Sequence, residues 1–363
     1  MPDHLLSAQS GHHTELEGLF SGFDSDAVLA WYDKYGRHLA WRHRWPDLAP
    51  AYHVFLSELM LQQTSVATAI PYFEKFTAKW PDIFALAEAD LDELLANWAG
   101  LGYYARARNM HKTARIIVST YHGQFPETEA DLRALPGIGP YTAGAILSFA
   151  FDRPAIVVDG NIERILVRFG GFTQPISKLK PVLRDAFLHS LPKQRFSDFP
   201  QALMDLANDI CQPRTPDCQR CPLQHSCAAS QLPDPSVLPI REAKKHQPVR
   251  DGKAYIISRP DGRLVMCRRP EKGLLGGMLS FPSSGWDHSD EIDSSLSEFM
   301  AGRYHKIPAL VKHVFTHFTA HIQIYHLQLD SSDRPLPEGF FWSEDNPEDW
   351  PKLMQKIRKA GLG

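Results

Sequence analysis

Residues 135–145 read LPGIGPYTAGA, and Gly137 and Gly139 stand between prolines where one helical pattern ends and another begins. Glycine accepts a positive φ and lets a ligand approach the main chain closely. The helix that follows presents unpaired N–H groups at its positive end. The stretch therefore predicts a site that binds an anion through backbone N–H groups. A plain helix–turn–helix junction explains the same letters, because glycine ends helices and proline starts them.

Helical patterns surround this hairpin on both sides. Between residues 24 and 229, apolar residues recur at helical spacing and no alternating strand pattern is sustained. The segments that we expect to be helical are DAVLAWYDKYGRH, VFLSELMLQQTSVATA, PYFEKFTAKW, LDELLANWAG, ARARNMHKTARIIVSTY, YTAGAILSFAF, GNIERILVRFG, KPVLRDAFLHSL and FPQALMDLANDIC. We predict a mainly α domain over residues 24–229, preceded by a flexible tail over residues 1–23.

The pattern changes after residue 229. Residues 230–249 are rich in proline and charge, which is typical of a linker. Short alternating runs follow, namely KAYIISR, GRLVMCRR and HIQIYHLQL, with turn residues such as Asp261-Gly262 between them. We predict a linker over residues 230–249 and a smaller α+β domain over residues 250–363.

Length and composition restrict the function classes. A chain of 363 residues with 43% hydrophobic residues has enough apolar material for two cores. The net charge of −3 gives no general attraction to a polyanion, so any nucleic-acid binding must be local. No apolar run approaches the ~18 residues of a membrane span, and the N-terminus lacks the features of a targeting signal. These observations favour a cytosolic protein.

A basic stretch precedes the hairpin. Between Leu95 and Pro126 there is no acidic residue, and the basic side chains are accompanied by Tyr103, Tyr104 and Tyr121. The basic residues are Arg106, Arg108, Lys112 and Arg115. Such a mixture suits a nucleic-acid backbone and a displaced base. A solvated helix face would have the same composition.

Four of the five cysteines fall within CQPRTPDCQRCPLQHSC, with the spacing C-x6-C-x2-C-x5-C. They are Cys211, Cys218, Cys221 and Cys227. Such density in a chain without secretion features indicates a metal site more than disulfides. Zinc and a [4Fe–4S] cluster both bind four thiolates. Zinc sites usually have two short cysteine pairs, and the single short pair here favours the cluster.

Two carboxylates stand in contrasting sequence contexts. Glu58 lies inside the apolar helical segment LSELMLQQT, where burial would raise its pKa and leave it a proton near neutral pH. An exposed helical glutamate is the alternative. Asp159 ends the apolar run AIVV before GNIERILVRFG, where it could cap the helix and stay ionised. One protonated acid and one anion are what the cleavage of a glycosidic bond needs.

These motifs together resemble the helix-hairpin-helix DNA glycosylases that carry an iron–sulfur cluster. LPGIGPYTAGA is similar to the family's hairpin, VDGN to its Gly-Pro/Asp loop and the cysteine spacing to its cluster loop, over roughly residues 24–228. WYDKYGRHLAWR, LSELMLQQT and GLGYYARARN resemble segments of the adenine DNA glycosylases in that superfamily. Tyr141 stands where the glycosylase/lyases for oxidised pyrimidines have a lysine. The C-terminal domain resembles the Nudix-like domain that checks for 8-oxoguanine opposite the adenine.

The resemblance implies base-excision repair, in which adenine mispaired with 8-oxoguanine or guanine is flipped out of double-stranded DNA and released by hydrolysis. Lyase activity would be weak or absent. The implied catalytic residues are Glu58, Asp159, Tyr141 and Asn161. The implied adenine contacts are Arg42, Leu61 and Asp205. The implied DNA contacts are Gln63, Leu101, Tyr103, Gly137 and Gly139.

The resemblance also implies a cofactor, a lesion contact and a cellular setting. The implied contacts of 8-oxoguanine are Phe315, Thr316 and His317. The implied ligands of a [4Fe–4S] cluster are Cys211, Cys218, Cys221 and Cys227. We expect a cytoplasmic, nucleoid-associated bacterial monomer whose linker contacts repair or replication proteins.

The C-terminal domain departs from the family pattern in two places. Thr316 replaces a serine that commonly follows the phenylalanine, which keeps the hydroxyl group and adds a methyl group. After Gly276-Gly277 the run MLSFPSSGWDHSDE lacks the Arg-Glu and paired Glu that hold magnesium in Nudix hydrolases. We predict recognition of 8-oxoguanine with an altered fit, and no nucleotide hydrolysis.

Three other functions explain parts of the same sequence. A glycosylase with strong lyase activity would need a lysine near the hairpin, and none lies between Lys112 and Lys178. A non-catalytic DNA-binding module would leave Glu58 and Asp159 as ordinary surface and capping residues. An electron carrier built on the cluster would not need the segments that resemble base-flipping machinery.

Overall fold

The computed structural model describes residues 18, 20–242, 247–270, 273–287, 294–300, 303–315, 317–329, 335–347 and 350–363. The chain divides into two compact units. The helical unit holds the described residues up to 94 and from 106 to 242, and the C-terminal unit holds residues 95–105 and those described from 247 onward. In this described part of the chain, no helix is long and apolar enough to cross a membrane.

The first two-thirds of the chain form α-helices joined by loops. They are α1 (Ser25–Tyr35), α2 (Ala51–Leu61), α3 (Val66–Lys79), α4 (Ile83–Glu88), α5 (Leu91–Trp98), α6 (Ala105–Tyr121), α7 (Glu129–Ala134), α8 (Pro140–Phe151), α9 (Gly160–Gly170), α10 (Ile176–His189) and α11 (Phe199–Asp209). Short 3₁₀ helices follow at Cys218–Arg220, Ala228–Gln231 and Pro235–Val237. Side chains that accept a hydrogen bond from the first turn begin several of these helices, as is typical of N-caps. These caps are Asp24, Ser65, Asp82, Thr128 and Asp159.

The prediction of VFLSELMLQQTSVATA as one helix is wrong. α2 ends at Leu61, Gln63 has a φ of 58° in the turn, and Ser65 caps α3. α3 continues through Pro71, so the separately predicted PYFEKFTAKW belongs to it. Apolar residues keep a helical spacing across this turn, which is why periodicity alone did not reveal the break.

The hairpin junction positions the helices that carry the candidate site. α7 and α8 pack against each other across the turn, and α8 also packs against α2. α9 packs against α10 and α11, and α11 packs against α1. Residues 142–150 of α8 are all buried, as expected for a helix that is apolar on every side. Side chains near the N-terminal ends of α8 and α9 consequently line one cleft.

The first part of the predicted linker packs on the helical unit. Leu238 is buried, and its carbonyl oxygen accepts a hydrogen bond from Arg168 Nε at 2.9 Å. The N–H group of Ile176, at the start of α10, donates to the carbonyl oxygen of Ile240 at 2.9 Å. A proline-rich composition indicates that a segment lacks long helices and strands, but it does not show whether the segment packs against a folded domain. The predicted borders of tail, helical domain, linker and C-terminal domain stay a prediction.

The C-terminal unit contains one sheet and two helices among its described residues outside 95–105. The strands are β1 (Val249–Ser258), β2 (Leu264–Arg268), β3 (Leu279–Ser280), β4 (Ser283–Ser284), β5 (His305–Val314), β6 (Thr319–Gln328) and β7 (Phe340–Ser343). The helices are α12 (Ser294–Met300) and α13 (Lys352–Leu362). The sheet order is β3-β2-β1-β6-β5, with β4 paired to β1 and β7 paired to β2.

The register of the sheet creates a separate core on each of its faces. β1 runs parallel to β6, with Val249 opposite Thr319, and the other pairs are antiparallel. One face packs with α13 around Phe281 and Trp286, and the other packs with α12 around Tyr255. A mainly helical unit followed by a smaller α+β unit confirms the predicted fold class.

Candidate active site

A cleft of about 430 Å³ in the helical unit collects most of the residues predicted for catalysis and adenine binding. Its lining includes Arg37, Arg42, Glu58, Leu61, Tyr141, Asp159 and Asn161. This volume lies in the usual range of small-molecule sites. These side chains come from α2, α8, the start of α9 and the loop after α1. Only the tertiary fold shows that they meet.

Glu58 is the buried acid of this cleft. Only 8% of its surface is exposed on α2. Burial raises the pKa of Glu58 to about 7, although a hydrogen bond from Tyr141 and the charge of Arg42 act in the opposite direction. Burial and the neighbouring Glu58 also raise the pKa of Tyr141. Its hydroxyl group therefore stays protonated and can donate a hydrogen bond to Glu58. The structure thus matches the expectation of a glutamate that holds a proton near neutral pH.

Asp159 caps α9 and faces the same cleft. Its Oδ1 accepts hydrogen bonds from the N–H groups of Asn161 at 3.0 Å and Ile162 at 2.8 Å. Its Oδ2 accepts from Asn161 Nδ2 at 2.9 Å. The two interpretations of the sequence, a helix cap and a functional carboxylate, are therefore compatible. A Cβ added at the exposed Gly160 would meet nothing within 4 Å, so the space directly beside this residue is open.

A buried carboxylate organises two arginines of the cleft. Asp205 is 2% exposed, and both of its oxygens lie 2.9 Å from Arg42 Nη1. Arg37 donates to the same carboxylate from its backbone N–H and its Nε, each at 2.7 Å. Sequence reasoning missed Arg37, because nothing in WYDKYGRHLAWR separates it from a surface arginine. The predicted contact of Asp205 with adenine stays a prediction.

Arg106 is buried at the C-terminal end of α2, where no sequence pattern placed it. Its Nη1 donates to the carbonyl oxygens of Leu59 at 2.8 Å and Met60 at 3.1 Å, and also to that of Gln62. A cation at a helix C-terminus satisfies unpaired carbonyls and opposes the negative end of the dipole. The basic stretch is thus neither a uniform DNA-binding face nor a uniform solvated face. This arginine holds the helix that carries Glu58.

Two residues predicted to contact DNA have unusual backbone conformations. Gln63 has a φ of 58° and Tyr103 has a φ of 48°. Residues other than glycine at positive φ are uncommon and concentrate at functional sites. Both side chains are exposed, whereas Leu101 is buried. The exposure of Gln63 and Tyr103 suits a contact with DNA, and all three DNA contacts stay predictions.

The hairpin uses its two glycines for different purposes. Gly137 has a φ of 80°, and a Cβ there would lie 2.8 Å from Cβ of Asn109. Gly139 is extended, with a φ of −88°, and a Cβ there would meet nothing within 4 Å. The first glycine is therefore needed for the turn, and the second leaves open space at the N-terminus of α8. The expectation of a positive φ is met at Gly137 alone.

The four clustered cysteines line one small cavity of about 30 Å³. They are Cys211, Cys218, Cys221 and Cys227, and all are half-buried. Arg168 of α9 is buried behind them and donates from Nη1 to Cys211 Sγ at 3.3 Å. The same guanidinium donates to the carbonyl oxygens of Gln212 at 2.7 Å and Pro213 at 2.9 Å. The fold thus brings all four thiols to one place.

Comparisons with known proteins agree with this geometry. Residues 56–181 match the model of the HhH-GPD superfamily of base excision DNA repair proteins, and residues 253–360 match that of the NUDIX domain. The adenine DNA glycosylase of Buchnera aphidicola subsp. Schizaphis graminum is 34% identical over 342 residues, which cover 92% of this chain and 97% of that protein. The chain belongs to the adenine DNA glycosylases. The human adenine DNA glycosylase is 33% identical over an alignment of 377 positions, gaps included, which covers 87% of this chain and 69% of that protein.

This adenine DNA glycosylase also shares its helical fold with a solved structure. A thermostable thymine-DNA glycosylase matches 60% of this chain and 98% of its own, with a TM-score of 0.51 and 24% identity. At that identity the likeness concerns the fold alone. The family matches confirm that the chain is a DNA glycosylase, and this likeness agrees with the helix-hairpin-helix architecture.

The C-terminal unit of the glycosylase carries the residues predicted to contact 8-oxoguanine. Phe315 is half-buried and His317 is exposed, while Thr316 lies outside the described residues. In the described part of α12, Glu298 is the acidic residue, and it is exposed. No group of His, Cys, Asp or Glu among the residues that the structure describes could hold a single metal ion. The predicted lack of nucleotide hydrolysis stays a prediction.

Proposed function

We propose that this adenine DNA glycosylase removes adenine that is mispaired with 8-oxoguanine or guanine in duplex DNA, leaving an abasic site. The observation that carries the proposal is the pair of carboxylates in one cleft. Glu58 is buried with a pKa of about 7, whereas Asp159 accepts three hydrogen bonds at a helix N-terminus. An acid that holds a proton beside a solvated and hydrogen-bonded carboxylate is the arrangement that glycosidic cleavage uses.

Each carboxylate has one task in the proposed reaction. Glu58 donates its proton to N7 of the adenine, which turns the base into a better leaving group. The Tyr141 hydroxyl group orients the Glu58 carboxyl group through the hydrogen bond between them. Asp159 lies at the positive charge that develops on the sugar, and Asn161 holds its Oδ2 at 2.9 Å. Water then completes hydrolysis of the N-glycosidic bond.

The reaction requires that the adenine leave the base stack, because enzymes that act on a base cannot reach it inside an intact duplex. We assign the contacts with the flipped base to Arg42, Leu61 and Asp205. We assign the contacts with the duplex to Gln63, Leu101, Tyr103, Gly137 and Gly139. The open space at Gly139 supports the proposal that a DNA phosphate binds at the N-terminus of α8. The N–H groups of a helix N-terminus can hold a phosphate without a basic side chain.

We assign the four-cysteine cavity to a [4Fe–4S] cluster. Cys211, Cys218, Cys221 and Cys227 line one cavity, and four thiolates are the ligand set of such a cluster. The single short pair, Cys218 and Cys221, differs from the two short pairs that zinc sites usually have. Bound there, the cluster would tie the loop of residues 211–227 to α9 and supply no acid–base chemistry.

The purified protein tests this cofactor assignment directly. Thiolate–iron clusters give a yellow-brown colour and absorb near ~400 nm. We expect this absorption together with about four iron atoms per chain, and its loss when all four cysteines are replaced by serine. A colourless protein with stoichiometric zinc would refute the assignment.

A duplex assay tests the proposed activity. The protein is incubated at a fixed salt concentration with labelled DNA containing adenine opposite 8-oxoguanine, opposite guanine or opposite thymine. Strand breaks are scored with and without hot alkali. We expect breaks only after alkali, fastest opposite 8-oxoguanine and absent opposite thymine. Equal cleavage of all three duplexes would refute the mispair specificity.

The same assay separates a glycosylase from a glycosylase/lyase. A lyase forms a Schiff base through an amine, and no lysine is found among the described residues that line the cleft. Tyr141 occupies the start of α8 instead. Strong strand cleavage without alkali would show that an amine outside this cleft takes part. Tight binding without base release would favour a lesion-binding protein.

A further inference from the structure

A stack of three aromatic rings lies beneath the turn of residues 315–318 in the C-terminal unit. The ring centroids of Trp286 and Phe315 are 5.6 Å apart with 9° between their planes. Those of Phe315 and Phe318 are 4.7 Å apart with 20° between their planes. Trp286 and Phe318 are buried at 0% and 2% exposure. The first ring of the turn therefore lies between two core side chains.

An arginine covers each end of this stack. Arg269 Cζ lies 4.8 Å from the ring centroid of Trp286, and Arg250 Cζ lies 4.1 Å from that of Phe318. A guanidinium over a ring face is attracted by the quadrupole of the ring. Arg269 is further fixed by an ion pair with Asp287 at 2.5 Å. The layers run in the order arginine, three rings, arginine.

The sequence builds this stack through strand periodicity and one glycine. Arg250 shares a face of β1 with Gly252 and Ala254, because side chains alternate along a strand. A Cβ at Gly252 would lie 2.8 Å from Trp286, so the missing side chain leaves room for the indole ring. Arg250 therefore stands at the open end of the core face, directly over Phe318.

The two ends of the stack differ in how firmly they are held. No ion pair within 4 Å joins Arg250 to a carboxylate in the described part of the chain, and the residue is half-buried. The turn itself is closed by one backbone hydrogen bond, from the N–H group of Phe315 to the carbonyl oxygen of Phe318 at 2.8 Å. Of the two arginines, Arg250 is therefore the one that no ion pair fixes in the described part of the chain.

We propose that Arg250 is a positioning residue for lesion recognition, which acts by clamping the aromatic stack and thereby fixing Phe315 and Phe318, between which the predicted 8-oxoguanine contact His317 lies in the sequence. This rests on the proposed function. Phe315 then supports the turn from inside and does not face the base. The planar guanidinium is essential to the clamp, because an ammonium group cannot stack on a ring in the same way.

The test compares Arg250→Gln and Arg250→Lys with the full-length wild-type protein in single-turnover base release. Adenine opposite 8-oxoguanine and adenine opposite guanine are measured side by side. We expect the preference for 8-oxoguanine to fall by about 3- to 10-fold in Arg250→Gln, from the usual strength of a cation–π contact. We expect a similar fall in Arg250→Lys and an unchanged rate opposite guanine in both variants.

Arg259→Gln is the matched control. Arg259 Cζ lies 4.9 Å from the ring centroid of Trp342, so this variant also loses a cation–π contact in the same unit. It follows the far end of the ten-residue β1, about 30 Å from Arg250 at 3.3 Å per residue. We expect its preference for 8-oxoguanine to equal that of the wild type. A loss as large as that of Arg250→Gln would mean that general destabilisation of the unit causes the effect.

The remaining outcomes are separable. If the wild type shows no preference for 8-oxoguanine, the proposed function fails before the variants are considered. If the wild type has the preference and both Arg250 variants keep it, the clamp is wrong. If the variants weaken binding to every duplex equally and lower its salt dependence, Arg250 contacts a DNA phosphate instead. Full rescue by Arg250→Lys would also overturn the stacking mechanism.

Discussion

The two units of the molecule treat buried charge in opposite ways. In the helical unit, ionisable side chains such as Glu58, Arg106, Arg168 and Asp205 are buried, and the raised pKa of Glu58 lets it hold a proton. In the described part of the C-terminal unit, the buried polar side chains are Ser280 and Ser284, and no charged residue is buried. An isolated buried charge is strongly unfavourable, so it persists where hydrogen bonds hold it. The helical unit thus has the buried ionisable groups of a chemical site, whereas the described core of the C-terminal unit is almost entirely apolar.

The largest loss of activity is expected when the buried acid of the helical unit is replaced. Glu58→Gln keeps the shape of the side chain and removes the proton that it donates. We expect base release to fall by about 10²- to 10⁴-fold, the usual contribution of a general acid. Single-turnover kinetics on adenine opposite 8-oxoguanine measure this, and gel-shift titration measures binding. Binding should stay within about threefold of the wild type, and its loss together with activity would show that Glu58 is a structural residue.

The next effect tests whether a buried cation supports the acid. In Arg106→Lys, the shorter side chain and its ammonium group no longer place a donor where Arg106 Nη1 lies among the carbonyl oxygens of Leu59, Met60 and Gln62. We expect the free energy of unfolding to fall by about 2–4 kcal/mol. Chemical denaturation measures this change. The exposed Arg115→Lys on the same helix is the control and should change stability by less than about 0.5 kcal/mol. Equal effects would contradict a special role for Arg106.

The pH dependence of the unfolding free energy tests whether Glu58 is buried in the helical unit. Burial raises its pKa from 4.5 to about 7, so the folded state retains a proton that the unfolded state has lost between these values. The stabilisation is complete below about pH 4.5 and disappears as the pH rises through about 7. Relative to Glu58→Gln, the wild type should lose about 3 kcal/mol of unfolding free energy across this window. A constant difference from pH 4.5 to pH 8 would show that Glu58 is not buried in solution.

The smallest change in activity is expected for a substitution in the C-terminal unit. Thr316→Ala removes the hydroxyl group that we expect to contact 8-oxoguanine. We expect the preference for 8-oxoguanine over guanine to fall by about threefold, as for the loss of one exposed hydrogen bond, while the rate opposite guanine stays the same. The ratio of the two single-turnover rates measures this. An unchanged ratio would remove Thr316 from recognition.

Much of the helical unit could be predicted because its signals are local. ARARNMHKTARIIVSTY and GNIERILVRFG coincide with α6 and α9 to the residue, since the apolar spacing lies within each segment and Asp159 caps α9 directly before it. The turn at Gln63 could not be predicted. It depends on Arg106, which lies more than 40 positions later and binds the carbonyl oxygens at the end of α2. No window of sequence around the turn contains that partner.

The candidate site shows the same division. Glu58 and Asp159 stand out in the sequence because a carboxylate inside an apolar segment and one at a helix start are locally unusual. Arg37 does not stand out, because its significance comes from Asp205, which lies 168 positions away. The aromatic stack of Trp286, Phe315 and Phe318 was likewise not predicted, since Trp286 reaches it from the turn after β4 and Arg250 from β1.

The helical and α+β parts, the hairpin, the cysteine set and the two carboxylates could be predicted from the amino-acid sequence, because neighbouring residues encode each of them. Two further facts depend on the folded chain: Glu58 and Asp159 line one cleft, and burial raises the pKa of Glu58 to about 7. Burial depends on every helix that packs around a side chain. Proton affinity follows burial, so the chemistry of the acid is a property of the fold rather than of the segment that contains it.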